Sequence, residues 1–101
     1  MIPAAIRLAM PSEQLGLSRC EAEMLGLLLS ESRWWSRREL HREMTTQAGP
    51  EVIKVFANRI NRKLKAANTE DRIQGRVRVG GFRVSDEARA RLLNWPTQQA
   101  A

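Results

Sequence analysis

Five polar side chains between residues 50 and 67 have the types and spacing of a nucleic-acid contact surface. In a helix, about 100° of rotation per residue brings to one side Lys54, Asn58, Asn61, Arg62 and Lys65. A carboxamide can pair with adenine through two hydrogen bonds, whereas Lys and Arg bind guanine or backbone phosphate. We therefore expect Asn58 and Asn61 to contact base edges and the three cations to hold phosphates. The alternative is a solvated basic helix face without a ligand.

Two further cations, Arg76 and Arg78, fall in a β-rich stretch that follows this helix. Residues 73–77 and 79–84 predict two strands joined by a turn at Gly80-Gly81, because glycine accepts the positive φ of a tight hairpin. Arginines on such a hairpin could enter a minor groove or clamp its phosphates, since a narrow groove concentrates negative potential. The alternative is that they only keep exposed strand positions soluble.

The positive charge of the chain is concentrated in the same region. Residues 49–84 hold nine Lys/Arg and three Asp/Glu, whereas the charges before and after this segment cancel. The whole net charge of +6 therefore lies in about a third of the 101 residues. A uniformly solubilising surface would not concentrate charge in this way, so we expect a polyanionic partner.

Other kinds of site find no support in the residue pattern. Cys20 and His41 are the single cysteine and the single histidine, so an internal disulfide, a zinc site of the usual spacing and a histidine-paired nucleophile are not expected. The chain has no Gly-rich phosphate loop of Walker form and no carboxylate pair in a catalytic context. We therefore expect no enzymatic activity, no cofactor and no metal. The single cysteine and the lack of an apolar run of about 18 residues predict a cytoplasmic protein with no membrane partner.

Two S-x-x-E sequences, at residues 18–21 and 36–39, have the capping-box form and predict the first two helices, which should end near residues 30 and 44. Residues 1–17 form an N-terminal segment in which Ala4–Leu8 could make one short strand. Helical spacing predicts an inward face on the first helix made of Ala22, Leu25, Leu28 and Leu29, with Met24 flanking it, and on the second made of Leu40 and Met44.

The third helix spans Pro50 to Ala67 and carries the polar residues named above. Its apolar residues recur at helical spacing and predict a core face of Ile53, Phe56, Ile60 and Leu64. A further helix should run from Asp86 to about Asn94. The predicted fold class is therefore mainly α with a small β-sheet, in one domain.

Trp34 and Trp35 lie between the first two predicted helices. Adjacent residues in an extended chain point to opposite faces, so we expect one indole to face the core and the other to cover the outside of a small sheet. Base stacking is the alternative use of two exposed indoles.

Four short stretches follow one another in a recognisable order. Residues 33–40 read R-W-W-S-R-R-E-L, residues 58–64 N-R-I-N-R-K-L and residues 81–84 G-F-R-V, and Leu17-Ser18 is followed by Glu21. They resemble the R-V-V-S-R-E-E-L, S-R-L-R-R-K-L, G-Y-R-L and L-T-x-x-E stretches of OmpR/PhoB-type DNA-binding domains. The resemblance implies a three-helix winged helix-turn-helix over residues 18–84, whose wing is the C-terminal β-hairpin. It leaves an extra C-terminal helix and tail in residues 85–101, and no receiver domain.

These observations predict a stand-alone, sequence-specific transcription regulator that binds double-stranded DNA and represses by occupancy or by competition with a larger regulator. The alternative is a protein-interaction module that binds another transcription regulator or RNA polymerase and modulates its activity. The apolar group Leu92, Leu93 and Trp95 could form a homodimer contact, or it could close the core of the monomer.

Overall fold

The protein is mainly helical, with a small two-stranded antiparallel sheet. A computed structural model describes residues 15–67, 69–76 and 81–93. In chain order these form α1 (Arg19–Ser30), α2 (Arg37–Glu43), α3 (Val52–Ala66), β1 (Gln74–Gly75), β2 (Phe82–Arg83) and α4 (Asp86–Leu93). The predicted mainly α fold class with a small sheet is confirmed. The short strand expected at Ala4–Leu8 lies outside the described residues.

Both predicted capping boxes are present at helix starts. At α1, the Ser18 hydroxyl accepts from the Glu21 N–H at 3.2 Å, and the Glu21 carboxylate accepts from the Ser18 N–H at 3.0 Å. At α2, Ser36 and Glu39 make the same two bonds at 3.0 Å each. Each box satisfies two backbone N–H groups that a helix start leaves without a partner. The two helices therefore begin where the sequence predicts.

Helix α1 lies inside the core rather than along one side of it. Met24, Leu25, Leu28 and Leu29 are all fully buried. Met24, expected to flank this face, is buried as deeply as the face itself, and Ala22, expected in the core, is only half-buried. The physical reason is that both α2 and α3 pack against α1, so its apolar side chains are covered on more than the one face that helical periodicity assigns.

Helix α3 begins at Val52, after a turn at Pro50 and Glu51 in which the Val52 N–H donates to the Gly49 C=O at 3.1 Å. Its predicted core face is confirmed, because the buried positions are Ile53, Phe56, Ala57, Ile60 and Leu64. The opposite side of α3 is left to solvent, and that side carries most of the predicted site residues.

The two strands are short, and part of the expected hairpin, including Gly80, lies outside the described residues. Trp35 pairs with Phe82 of β2 through an isolated antiparallel β-bridge. The two residues exchange two backbone hydrogen bonds of 2.8 Å. Gly81 has a φ of +110°, the positive value that the predicted turn requires. The antiparallel register of β1 and β2 places Gln74 opposite Arg83 and Gly75 opposite Phe82.

Trp34 and Trp35 lie on opposite sides of this sheet. Trp35 is 6% exposed, and its indole N–H donates to the Glu31 C=O at 3.3 Å. Trp34 is half-buried and lies against Arg76 and Arg83 on the other side. The prediction that one indole faces the core while the other covers the sheet is confirmed, and it follows from the alternation of side chains in extended backbone.

Helix α4 belongs to the core of the monomer. Leu92 is fully buried, and Leu93 packs against the core in a partly buried position. Arg91 joins α4 to the segment before β1, since its Nε and Nη2 donate to Asp71 Oδ1 at 2.9 and 2.6 Å. Of the two alternatives for this apolar group, the structure therefore supports closure of the monomer core by Leu92. Trp95 lies outside the described residues.

Candidate nucleic-acid interface

The solvent side of α3 carries a row of exposed side chains, here termed the basic face. Residues 54, 58, 62 and 65 follow one another at steps of three or four, which is the spacing of neighbours along one side of a helix. Four of the predicted site residues therefore lie together on one surface. The basic face comprises Lys54, Val55, Asn58, Arg62 and Lys65.

The cations of the basic face are not neutralised by any described carboxylate. Lys54, Arg62 and Lys65 take part in none of the ion pairs formed within residues 15–67, 69–76 and 81–93. Helix α3 itself contains no Asp or Glu. Arg62 and Lys65 are one turn apart, where like charges repel by roughly 0.2–0.5 kcal/mol. An external anion would relieve this repulsion.

Lys54 is placed where helix stability alone disfavours a cation. It lies in the first turn of α3, near the positive end of the helix dipole, where acidic side chains are favourable. Helices α1, α2 and α4 each have an acidic residue in that turn. Lys65 lies in the last turn, where the dipole favours a cation, so helix stability explains its position. Lys54 is therefore the cation that most specifically indicates an anionic ligand.

Lys63 serves the fold rather than the basic face. Its Nζ donates to both carboxylate oxygens of Glu21 and to the Gly16 C=O, the last at 2.8 Å. Glu21 is 1% exposed, and burial by itself raises the pKa of its carboxyl. Hydrogen bonds from Lys63 and from the Ser18 N–H, with the charge of Lys63, outweigh burial and hold the pKa of Glu21 below its ordinary value. Lys63 thus joins α3 to the start of α1.

Asn61 does not present a free carboxamide on the basic face. Its Oδ1 accepts from the Ile73 N–H at 2.8 Å, and its Nδ2 donates to the Ile73 C=O at 3.2 Å. Ile73 is buried and directly precedes β1, so the two bonds fasten the sheet to α3. The carboxamide edge that would pair with adenine is the edge used here. The base contact expected of Asn61 is therefore replaced by a structural role.

Val55 is an exposed apolar side chain at the edge of the polar row. It is 42% exposed, and no other large hydrophobic side chain of the described residues is classed as exposed. A single exposed Val is ordinary on a protein surface. Its position one turn before Asn58, at the edge of the basic face, is nevertheless informative. The major groove offers one apolar group, the C5 methyl of thymine.

The side of the sheet away from the core carries Trp34, Arg76 and Arg83, here termed the outer sheet face. Trp35 pairs with Phe82 in antiparallel register, so the neighbouring residues Trp34 and Arg83 lie opposite each other. The guanidinium carbons of Arg76 and Arg83 lie 4.3 and 5.6 Å from the centre of the Trp34 ring, which is within cation–π range. Arg76, one of the predicted site residues, is therefore held against an indole.

The site residues predicted from the sequence do not include Arg83 and Val55. Arg78, which is among them, lies outside the described residues. Alternation could have indicated Arg83, because it stands between Phe82 and Val84, which both pack toward the core. The helical spacing of α3 could likewise have placed Val55 among the exposed residues.

A second group of charges, beside Trp35, is balanced within the protein. Arg33 stacks over the Trp35 ring at 3.8 Å and pairs with Glu31 at 2.7 Å and with Glu39 at 3.0 Å. The hydrogen bond to Glu31, with the bond and charge of Glu39, raises the pKa of Arg33. The Ser36 N–H and then Arg33 lower the pKa of Glu39. Both carboxylates are thus paired with a cation. The cations of the basic face have no such carboxylate partner among the described residues.

The remaining chemically distinctive residues show ordinary contacts. His41 Nε2 lies 2.6 Å from the Ala48 C=O, and Cys20 is a half-buried free thiol. Within the described residues, no group of three His, Cys, Asp or Glu could hold a metal ion. In that same part of the chain, no helix has the length and apolar character needed to span a bilayer.

Comparisons with protein families, with curated proteins and with solved structures found no match for this chain. The function is therefore inferred from the site itself.

Proposed function

We propose that this protein is a DNA-binding transcription regulator that contacts double-stranded DNA through the basic face of α3 and through its sheet. The observation that carries the proposal is the row of exposed, unpaired cations around Asn58, with Lys54 in a helix turn that otherwise favours acids. The excess of nine basic over three acidic residues in positions 49–84 supports the same partner.

The proposed geometry is that of a winged helix-turn-helix, the arrangement that the OmpR/PhoB resemblance implies. Helix α2 crosses the DNA backbone, α3 enters the major groove, and the hairpin of β1 and β2 acts as the wing. A groove about 12 Å wide accepts a helix with its side chains. The fold supports this proposal because Asn61 and Lys63 tie α3 to the sheet and to α1, so the exposed side of α3 is presented on a fixed support.

The side chains of the basic face divide the work by their chemistry. Asn58, whose carboxamide makes no hydrogen bond within the described residues, pairs with a base edge, with adenine as the preferred partner. Lys54, Arg62 and Lys65 contact phosphates and set the register of the helix in the groove. Val55 packs on a thymine methyl next to the base that Asn58 reads. Bound in this way, the protein regulates transcription by occupying its site or by competing with a larger regulator.

A selection from random duplex DNA tests the proposal. We expect wild-type protein to enrich a defined sequence at low salt, because Asn58 reads one base pair and the cations add affinity for any duplex. The Asn58→Ala variant should lose discrimination at one position and keep its affinity for unselected duplex. Arg19→Gln, which removes an exposed cation from α1, is the matched control and should enrich the wild-type sequence. Failure of the wild-type protein to retain duplex at low salt would refute the proposal.

A further inference from the structure

The outer sheet face brings two arginines onto one indole without any counter-charge. Arg76 and Arg83 both lie within about 6 Å of the Trp34 ring centre, the range of cation–π attraction. Neither guanidinium forms an ion pair with a carboxylate of the described residues. The two like charges are therefore held close together by an aromatic ring rather than by an acid.

Arg83 also retains unused hydrogen-bonding capacity. Its Nε is buried and has no hydrogen-bond partner within the described structure. A covered N–H without an acceptor is unfavourable because the group has lost its hydrogen bonds to water, so folded proteins seldom keep one. Arg33 shows the contrast, since it also stacks on an indole, Trp35, but its guanidinium bonds two carboxylates. Arg83 therefore has a donor for which the described part of the protein supplies no acceptor.

We infer that Trp34, Arg76 and Arg83 form a second anion site that binds a phosphate of the DNA backbone, an inference that rests on the proposed function. Arg83 contacts the phosphate directly beside Arg76, and Trp34 is the positioning residue for both. A guanidinium presents planar N–H donors that match two phosphate oxygens. Contact with the indole restrains both guanidinium groups, and a rotation of the Arg83 side chain that uncovers its Nε would let this N–H donate to a phosphate oxygen. The site makes the sheet, as well as α3, a DNA contact.

The salt dependence of duplex affinity tests this site. Arg83→Gln should weaken binding several-fold and reduce the slope of log affinity against log salt by about 0.9, the value for one lost phosphate contact. Trp34→Leu keeps both charges and should also weaken binding. The combined variant should lose less than the sum of the two single losses, because Trp34 acts through Arg83. Gln74→Ala, opposite Arg83 in the register, is the control and should leave the slope unchanged. Chemical denaturation establishes that each variant is folded.

A second readout follows Trp34 itself. In protein labelled with 5-fluorotryptophan, the ¹⁹F resonance that Trp34→Phe removes should shift when duplex is added. If the wild-type protein binds no duplex, the proposed function fails. If the wild-type protein binds and Lys65→Ala reduces its slope, but Arg83→Gln leaves the slope unchanged and the Trp34 resonance does not move, the second anion site is refuted while the proposed function stands.

Discussion

Asn61 and Ile73 exchange two hydrogen bonds, with the Ile73 N–H donating to Asn61 Oδ1 at 2.8 Å and Asn61 Nδ2 donating to the Ile73 C=O at 3.2 Å. The Asn61 side chain on α3 thereby satisfies the backbone N–H and C=O of Ile73, the residue before β1, as a neighbouring strand would. The bonds fix the distance and angle between the helix and the sheet. This carboxamide therefore helps to position the two proposed DNA contacts relative to each other.

Asn61→Ala should lower the free energy of unfolding by about 1–3 kcal/mol, because it leaves two buried backbone groups of Ile73 without a partner. Asn58→Ala removes an exposed side chain of the same type from the same helix and should change stability by no more than about 0.5 kcal/mol. Urea denaturation of both variants measures the difference. Equal stabilities for the two would show that the Asn61 carboxamide has no structural role.

The pair of Glu21 and Lys63 should make stability depend on pH in the acid range. The pKa of Glu21 is lower in the folded protein than its ordinary value of 4.5, so its charged form stabilises the fold. This contribution is fully present above about pH 4.5 and is lost as the pH falls through the lower folded value. Glu21→Gln should lower the free energy of unfolding by about 1.5–3 kcal/mol at pH 7. The difference in this free energy between wild type and the variant should narrow below pH 4.5.

The control for this pair is the same substitution in a Lys63→Met background. In that background Glu21 has lost the cation that lowers its pKa. Replacing Glu21 should therefore reduce the free energy of unfolding at pH 7 by less than it does in wild type. Denaturant titrations at a series of pH values give the comparison. A gap between wild type and Glu21→Gln that widens with acid would contradict the assigned direction of the pKa.

Val55 should make affinity sensitive to thymine methyl groups. Replacing thymines by deoxyuridine in a selected duplex removes only the C5 methyl, and burial of one such group contributes about 0.8 kcal/mol, or roughly fourfold in affinity. At one thymine position, this replacement should lower the affinity of the wild-type protein. The same replacement should lower the affinity of Val55→Ala much less. Fluorescence anisotropy measures both. Identical sensitivity in the two proteins would place Val55 away from the bases.

Gly81→Ala should destabilise the sheet by about 1–3 kcal/mol, because a side chain at φ +110° is strained and its Cβ would lie 3.3 Å from the Trp35 C=O. Gly16 is a useful comparison, since its φ is +70° but a Cβ there would meet no atom within 4 Å. Gly16→Ala should therefore cost less than Gly81→Ala in thermal denaturation. The reverse order would mean that crowding at the sheet does not constrain position 81.

Local signals in the sequence predicted most of the fold. The capping boxes at Ser18 and Ser36 and the apolar spacing of α3 depend on neighbours within four residues, and each is confirmed. The errors arise where the partner is distant in sequence. Met24 is buried because two helices cover α1, and Asn61 is occupied by Ile73, twelve residues away. Helical periodicity identifies which side of α3 is polar, but it cannot show which polar side chain the rest of the protein uses.

The salt dependence of binding to a duplex tests the central claim most directly, with wild type, Lys54→Ala and the control Arg19→Gln compared side by side. Contacts from Lys54, Arg62 and Lys65 alone should give a slope of log affinity against log salt of about −2.7, and Lys54→Ala should reduce its magnitude by about 0.9. Arg19→Gln should leave the slope unchanged. Absence of duplex binding at low salt, or the same slope for Lys54→Ala as for wild type, would contradict the proposal that the basic face of α3 binds DNA.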